Sequence, residues 1–105
     1  DENLRRVAEI AKLLNEQCMI VIAIFISPDR ETRGQVKEII GPKRYKEIFV
    51  DTSIEICRKK DQEGLYQKAD EGKLKHFPGV DIEYQSGTSD LVIQDWENVN
   101  ITDLI

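Results

Sequence analysis

The apolar run CMIVIAIF at residues 18–25 is the feature that most constrains the fold. It is unbroken rather than alternating, and it is rich in branched side chains. Strands at a sheet surface alternate apolar and polar residues, whereas strands covered on both faces form continuous apolar runs. The run therefore predicts a strand of a parallel sheet that is packed between helices. It is too short for a transmembrane helix, which needs about 20 apolar residues.

The segments on either side of this run carry helical signals. Apolar side chains recur at three- and four-residue spacing from residue 3 to about 17, which predicts a helix. After the run, Ser27, Pro28 and Asp29 predict a second helix, with Ser27 as N-cap and Pro28 at the first helical position. Gly41 fits the residue that follows the last turn of that helix.

The second half of the chain continues the alternation. Strands are predicted at residues 45–51 and 90–94, and helices at 53–60 and 65–71. Thr52 and Glu55 have the spacing of a capping box for the first of these helices. Residues 73–90 are polar, contain Pro78, and predict a long loop, which in a compact domain is usually functional or mobile.

This order of elements predicts an α/β fold of three αβα layers with a parallel sheet. The chain has 105 residues, enough for one domain, with a lid-like region at about 61–89. The order begins with a helix, whereas an α/β unit normally begins with a strand whose carboxyl end carries the ligand loop. We therefore expect a sheet that is incomplete on its N-terminal side.

Charge and cysteine content exclude several classes of function. The net charge is −5, which argues against nucleic acid as the main partner but not against a small anionic ligand. The N-terminus has no apolar stretch of a secretory signal, so a cytoplasmic, membrane-free protein is expected. Cys18 and Cys57 are expected to be buried free thiols. The lone His76 has no carboxylate or thiol set at ligand spacing, so no metal site is predicted.

Five stretches, in order, resemble the adenylylsulfate (APS) kinase family, and together they span nearly the whole chain. They are ENLRRVAEIAKL at 2–13, FISP at 25–28, FVDT at 49–52 followed by Cys57, GLYQKA at 64–69 and KHFPGVD at 75–81. The DLVI stretch at 90–93 falls where the last strand of the family is expected.

The resemblance implies a P-loop kinase fold, usually in a homodimer. It implies phosphorylation of the 3′-hydroxyl of APS by ATP with Mg²⁺, which gives the activated sulfate donor PAPS for sulfate assimilation. An ATP sulfurylase, fused or associated, is a possible partner within the family. A generic nucleoside or shikimate-type kinase is a weaker reading, because FISP and GLYQKA are not expected there.

The resemblance also implies roles for individual residues, and it names APS contacts at Asn3, Ile26, Ser27, His76 and Phe77. Phe77 matches an aromatic that stacks on the adenine of APS. From the residues alone, Ser27 could equally be a plain N-cap and Phe77 a side chain that fills space under the loop. Arg5 and Arg6 could likewise belong to a solvated helix face.

Three lysines are implied at the nucleotide and the lid. Lys60, followed by Asp61, stands where the family usually has Arg-Asp near the ATP base. Lys68 and Lys75 lie on or beside the mobile lid of the family. No residue of this chain is predicted to be catalytic.

The family's Walker A loop belongs to a part of the family sequence that precedes these stretches. The 105 residues contain no Gly-rich run ending in Gly-Lys-Ser/Thr, whose amides and lysine hold the β- and γ-phosphates. ATP and Mg²⁺ are thus expected to bind mainly outside these residues, and this chain alone is expected to have negligible kinase activity.

Several residues depart from the family pattern. Glu63 replaces a usual lysine and puts a negative charge beside an anionic substrate. His76 and Cys18 each replace a glycine, Asp29 replaces an aromatic residue and Pro78 replaces a threonine. These differences leave open an alternative function, a non-catalytic nucleotide-binding regulatory domain such as the one in some fungal ATP sulfurylases.

Overall fold

A computed structural model describes residues 2–94, 97, 98, 100 and 102. Its elements are α1 (Glu2–Glu16), α2 (Arg30–Ile40), β1 (Ile48–Val50), α3 (Ile54–Lys59), α4 (Leu65–Asp70) and β2 (Leu91–Ile93). The chain divides into two compact units. The first unit comprises Asp1–Lys46 and Tyr84–Thr88, and the second comprises Glu47–Glu83 and Ser89–Ile105.

Helix α1 confirms the sequence prediction almost residue for residue. Its stripe of small side chains, Ala8 and Ala11, is buried and packs in the first unit, where α1 lies against α2. The wider apolar stripe is less covered than the periodicity indicated, because Ile10 and Leu13 are 58% and 60% exposed. Among the described helices none is long and apolar enough to cross a membrane.

The end of α1 is a Schellman motif, in which two amides after the helix bond back to its last turn. The Cys18 amide donates to the Asn15 carbonyl at 2.9 Å, and the Met19 amide donates to the Leu14 carbonyl at 3.1 Å. Cys18 has a φ of 62°, the left-handed conformation that this motif needs. Glycine is the usual residue here, because it has no Cβ to crowd the backbone.

Helix α2 begins two residues later than predicted. Asp29, not Ser27, is the N-cap, and its carboxylate accepts a bond from the Thr32 amide at 2.9 Å. Both residue types are good N-caps, and Asp29 is the one placed three residues before an amide without a helical partner. Gly41 ends the helix as predicted, and its amide donates to the Lys37 carbonyl at 2.9 Å.

The second unit contains the parallel sheet. Strands β1 and β2 pair in the register Ile48–Leu91, Phe49–Val92 and Val50–Ile93. The Asp51 amide extends the ladder by donating to the Ile93 carbonyl at 2.8 Å. Both strands lie within the ranges predicted from the sequence, although each is shorter.

The two short helices of this unit also fall where expected. Helix α3 is capped by the Ser53 hydroxyl, which accepts from the Ile56 amide at 3.4 Å, so the capping box predicted at Thr52 is wrong by one residue. Helix α4 follows a left-handed Gly64 and is followed by Gly72. The long loop after it has no strand or helix, apart from an isolated bridge between Pro78 and Ile82.

The run at 18–25 departs most from prediction, because the structure has no strand there. Residues 20–26 make no backbone hydrogen bond to any described residue. The isoleucines at the even positions are 74–94% exposed, whereas Val21 is half-buried. The described part of the chain thus has two parallel strands rather than three, and the most apolar segment lies outside the sheet.

The expectation that both cysteines are buried is only partly met. Both cysteines are free thiols, but Cys18 is exposed and Cys57 is half-buried, so the prediction of two buried thiols is wrong for Cys18. Cys18 is exposed because it occupies the turn after α1 rather than a covered strand. The weakly patterned tail at 95–105 lies mostly outside the described residues.

Candidate substrate-binding site

The loop that carries Phe77 is held by one carboxylate. Asp81 accepts bonds from the His76 amide, at 2.8 Å, and from the Phe77 amide. The Phe77 carbonyl in turn accepts from the amides of residues 80 to 82. Gly79, at φ 90°, completes the turn, and a Cβ there would lie 2.8 Å from Cδ1 of Ile54. The backbone of Phe77 is therefore fixed by hydrogen bonds within its own loop.

His76 adopts a left-handed backbone conformation, with a φ of 57°. This conformation is uncommon for a residue with a side chain and costs roughly 1–2 kcal/mol. His76 and Cys18 are the two non-glycine residues with positive φ among the described residues, and the family resemblance implied a glycine at both positions. His76 is exposed, and its imidazole is positioned by a strained backbone rather than by burial.

The Phe77 ring packs against Tyr66 of α4. The ring centroids are 5.0 Å apart and the planes meet at 84°, an edge-to-face arrangement. The guanidinium of Arg58 lies 5.4 Å from the centre of the Tyr66 ring. Burial raises the pKa of the Tyr66 hydroxyl, and the neighbouring Cys57 thiol adds to the shift. Phe77 itself is half-buried, so part of the ring stays accessible to a ligand.

Helix α4, which carries Tyr66, is anchored at both ends. The Asp61 carboxylate accepts from the Leu65 amide at 2.8 Å and the Tyr66 amide at 2.9 Å. At the other end Asp70 accepts two bonds from Arg58, one of 3.1 Å. The paired guanidinium lowers the pKa of Asp70, and the carboxylate raises the pKa of Arg58.

The three predicted lysines all lie in the second unit. Lys60 follows α3 and pairs with Glu97. Lys68 lies in α4 and Lys75 lies in the loop before Phe77, and both are exposed. All three ammonium groups are at the surface, where an anionic ligand can reach them.

Ser27 and Ile26 lie in the first unit, with the Ser27 backbone tied to α2. Ile26 is 74% exposed. The Ser27 carbonyl accepts a bond of 2.6 Å from Arg33, whose guanidinium also donates to the Gln85 carbonyl and to Thr88 Oγ1. The Ser27 hydroxyl is buried and has no hydrogen-bond partner among the described residues.

Arg33 is the buried cation of the first unit, with 6% of its surface exposed. Besides its three polar bonds it lies 4.6 Å from the centre of the Tyr84 ring. It therefore links the FISP segment to residues 84–88. A second link runs from the Gln85 amide to the Pro28 carbonyl at 2.9 Å.

Asn3 lies on the first turn of α1 and is exposed. Its neighbours Arg5 and Arg6 both pair with Glu2, which favours the solvated-face interpretation of these arginines. A shallow groove of about 680 Å³ lies between α1 and α2 and contains no predicted site residue. It is lined by Arg5, Glu31, Gly34, Gln35, Glu38 and Ile39.

The predicted APS residues therefore fall into two groups. Asn3, Ile26 and Ser27 belong to the first unit, while His76 and Phe77 belong to the second. Sequence reasoning missed the residues that support them, namely Arg33 behind Ser27, and Tyr66 and Asp81 behind Phe77. No local pattern marks these supports. Arg33 bonds Gln85, 52 residues away, and Tyr66 contacts Phe77 from another element. Asp81 accepts from amides that precede it in the sequence, whereas an N-cap accepts from amides that follow it.

Comparison with known proteins gives one consistent result. The family model described as adenylylsulphate kinase matches residues 1–94. The chain belongs to the adenylylsulfate kinase family. Adenylyl-sulfate kinases of Erwinia tasmaniensis and Enterobacter are 46% and 41% identical to it over 80% and 99% of its length. The chain spans about half the length of these relatives, 42% and 51% respectively.

A solved structure of the Mycobacterium tuberculosis APS kinase, in complex with AMPPNP and APS, also matches. It superposes with a TM-score of 0.83 at 33% identity, over 98% of this chain and 60% of the other. The fold predicted from the sequence is therefore confirmed as the α/β fold of a P-loop kinase, with a small parallel sheet and helices.

Proposed function

We propose that this chain is the APS-binding portion of an adenylylsulfate kinase. The reaction is transfer of a phosphoryl group from ATP to the 3′-hydroxyl of APS, giving ADP and PAPS in sulfate assimilation. The observation that carries the proposal is the match of nearly the whole chain to an APS kinase solved with AMPPNP and APS. A cytoplasmic homodimer, with an associated ATP sulfurylase as a further partner, is part of the same proposal.

The chemistry of the described residues supports a role in binding adenine. An adenine ring needs an aromatic face, and Phe77 offers a partly accessible ring on a backbone held by Asp81. Base stacking on an aromatic side chain contributes about 1–3 kcal/mol. His76, adjacent to it, and the exposed Lys75 add donors and positive charge for the sulfate–phosphate anhydride.

The first unit supplies a different kind of contact. The buried Ser27 hydroxyl is unpartnered among described residues, and leaving such a group unpaired costs about 1–3 kcal/mol. A bound substrate oxygen would satisfy it. Ile26 offers an exposed apolar surface beside it, and Asn3 an amide at the start of α1. Ser27 would then act through its own hydroxyl, since the start of α2 belongs to Asp29.

Phosphoryl transfer requires groups that these 105 residues do not contain. The sequence has no Walker A motif, so ATP and Mg²⁺ would be held mainly by residues outside it, with Lys60 and Lys68 contributing at the nucleotide and the lid. The lack of backbone hydrogen bonds from residues 20–26 to any described residue agrees with a sheet whose remaining strands come from elsewhere in the family fold. The chain by itself would then bind substrate without turning it over.

A calorimetric titration of the 105-residue chain with APS tests the binding proposal. We expect saturable APS binding that Phe77→Ala weakens about 5- to 150-fold, while Phe77→Tyr, which keeps an aromatic face, changes it little. AMPPNP affinity should be the same in both variants. Equal loss of APS and AMPPNP binding in Phe77→Ala would mean that Phe77 only fills space in the fold.

A second experiment separates the kinase function from the alternative of a non-catalytic regulatory domain. Glu63 favours the alternative, because its carboxylate would put negative charge beside an anionic substrate. We expect no PAPS from the 105 residues alone, and PAPS formation from a fusion that adds the part of the Enterobacter relative that this chain does not match. Glu63→Lys should tighten APS binding at low salt and lose this effect at high salt. A fusion that binds APS and AMPPNP without forming PAPS would support the regulatory function.

A further inference from the structure

We propose that Tyr66 is a positioning residue that fixes the orientation of the Phe77 ring and so sets APS affinity. This inference rests on the proposed role of Phe77 in stacking on adenine. It concerns a different residue, however, and a property of the free protein that can be measured without substrate.

The first step is the contact between the two rings. Their centroids are 5.0 Å apart and their planes are nearly perpendicular, at 84°. This is the edge-to-face geometry that aromatic pairs prefer, because the positive edge of one ring meets the negative face of the other. A ring held in this way keeps one orientation, whereas a loop phenylalanine without such a neighbour can change its rotamer freely.

The second step is that Tyr66 is itself held by two contacts. Its amide donates to the Asp61 carboxylate at 2.9 Å, and its ring lies 5.4 Å from the Arg58 guanidinium. Arg58 in turn forms the two-bond pair with Asp70 at the end of the same helix. Tyr66 is thus a rigid support rather than a second mobile ring.

The third step is the backbone of Phe77. Asp81 already fixes its amide, and the Phe77 carbonyl is bonded by the amides that follow. The side-chain torsions of Phe77 are then its remaining freedom. A ligand that stacks on a ring already in the bound orientation loses less conformational entropy on binding. Tyr66 removes that freedom before the ligand arrives.

The test combines two measurements on the 105-residue chain. The first is the NMR signal of ¹³C-labelled phenylalanine, of which the chain has three, so the other two serve as internal references. We expect Tyr66→Leu to shift and broaden the Phe77 ring signals and leave the other two unchanged. Tyr66→Phe, which keeps the ring, should preserve them. Leu65→Ala, a truncation at the neighbouring position of α4, controls for general loosening of the helix.

The second measurement is APS affinity by calorimetry. Tyr66→Leu should weaken APS binding about 2- to 12-fold, and Tyr66→Phe less than about 2-fold. In a Phe77→Ala background, Tyr66→Leu should have no further effect, because the ring it positions is gone. Independent, multiplying effects of the two substitutions would overturn the proposal.

The two measurements also separate this inference from the proposed function. Unchanged Phe77 signals in Tyr66→Leu would refute the positioning role whatever the APS affinity. Shifted signals combined with an APS affinity that does not respond to Phe77→Ala would instead refute adenine stacking on Phe77, with the structural role of Tyr66 upheld.

Discussion

Replacing Cys18 by glycine should stabilise the protein, although it removes side-chain atoms. Cys18 occupies the left-handed position of the Schellman motif that ends α1, with a φ of 62°. A left-handed residue with a Cβ costs roughly 1–2 kcal/mol relative to glycine. The Cys18 side chain is exposed, so its removal leaves no buried cavity to offset that gain.

The magnitude follows from two opposing terms. Glycine relieves the backbone strain but makes the unfolded chain more flexible, which costs about 0.4–1 kcal/mol. Near the middle of both ranges, the difference is a net stabilisation of about 0.5–1 kcal/mol. For a domain of this size each kcal/mol raises the melting temperature by about 4–8 °C, so we expect an increase of about 2–8 °C.

Thermal and urea unfolding, followed by circular dichroism at 222 nm, would measure this change. Cys18→Ala removes the thiol but keeps the Cβ, so it should give no such increase. Gln17→Gly places the same flexibility one residue earlier, where φ is not positive, and should destabilise the helix by about 0.5–1 kcal/mol. Equal stability of Cys18→Gly and Cys18→Ala would refute the argument from backbone strain.

Three other outcomes follow from the described contacts. His76→Gly should likewise raise stability, by about 0.5–1 kcal/mol, whereas Lys75→Gly should not; parallel melts of the two variants would check this. Arg33→Gln should destabilise by roughly 2–6 kcal/mol, because two carbonyls lose a charged donor at about 1–3 kcal/mol each; urea titration would measure it. The bonds from Thr32 lower the pKa of Asp29, so its stabilisation of α2 is present above the ordinary carboxyl pKa. This stabilisation is lost as pH falls through the lowered pKa of Asp29. When helicity is followed during titration with acid, Asp29→Ala should therefore show a smaller drop than the unsubstituted protein.

Elements whose signals are local were predicted well from the sequence. Helix α1 follows from its apolar spacing and the end of α2 from Gly41, since both depend on neighbours a few residues away. The N-caps were harder, because Ser27, Pro28 and Asp29 offer overlapping signals and only geometry selects Asp29. A hydroxyl and a carboxylate can both cap a helix, and their order in the sequence does not decide between them.

The roles of Phe77, Ser27 and the lysines come from the resemblance to the family and stay predictions. Several contacts that hold Phe77 and Ser27 in place come from residues more distant in sequence. Arg33 reaches Gln85 over 52 residues, and Tyr66 reaches Phe77 from a different element. Such contacts depend on packing, so a single sequence does not reveal them. The left-handed backbone at Cys18 and His76 was likewise not predicted from the sequence.

The prediction of a buried strand at residues 18–25 is wrong, because the segment forms no strand and its isoleucines are exposed. Helical hydrogen bonds form within one segment, but the hydrogen bonds of a strand must come from a neighbouring strand. Residues 20–26 have no such neighbour among the described residues, and the isoleucines at the even positions remain 74–94% exposed. Exposed isoleucines lose the free energy that burial would give, so we expect a strand that pairs with this run to stabilise the protein. A fusion that adds the unmatched part of a relative should bury these isoleucines and protect the amides of residues 20–26 from hydrogen exchange. Amides that still exchange freely in that fusion would mean that the run is not a sheet strand.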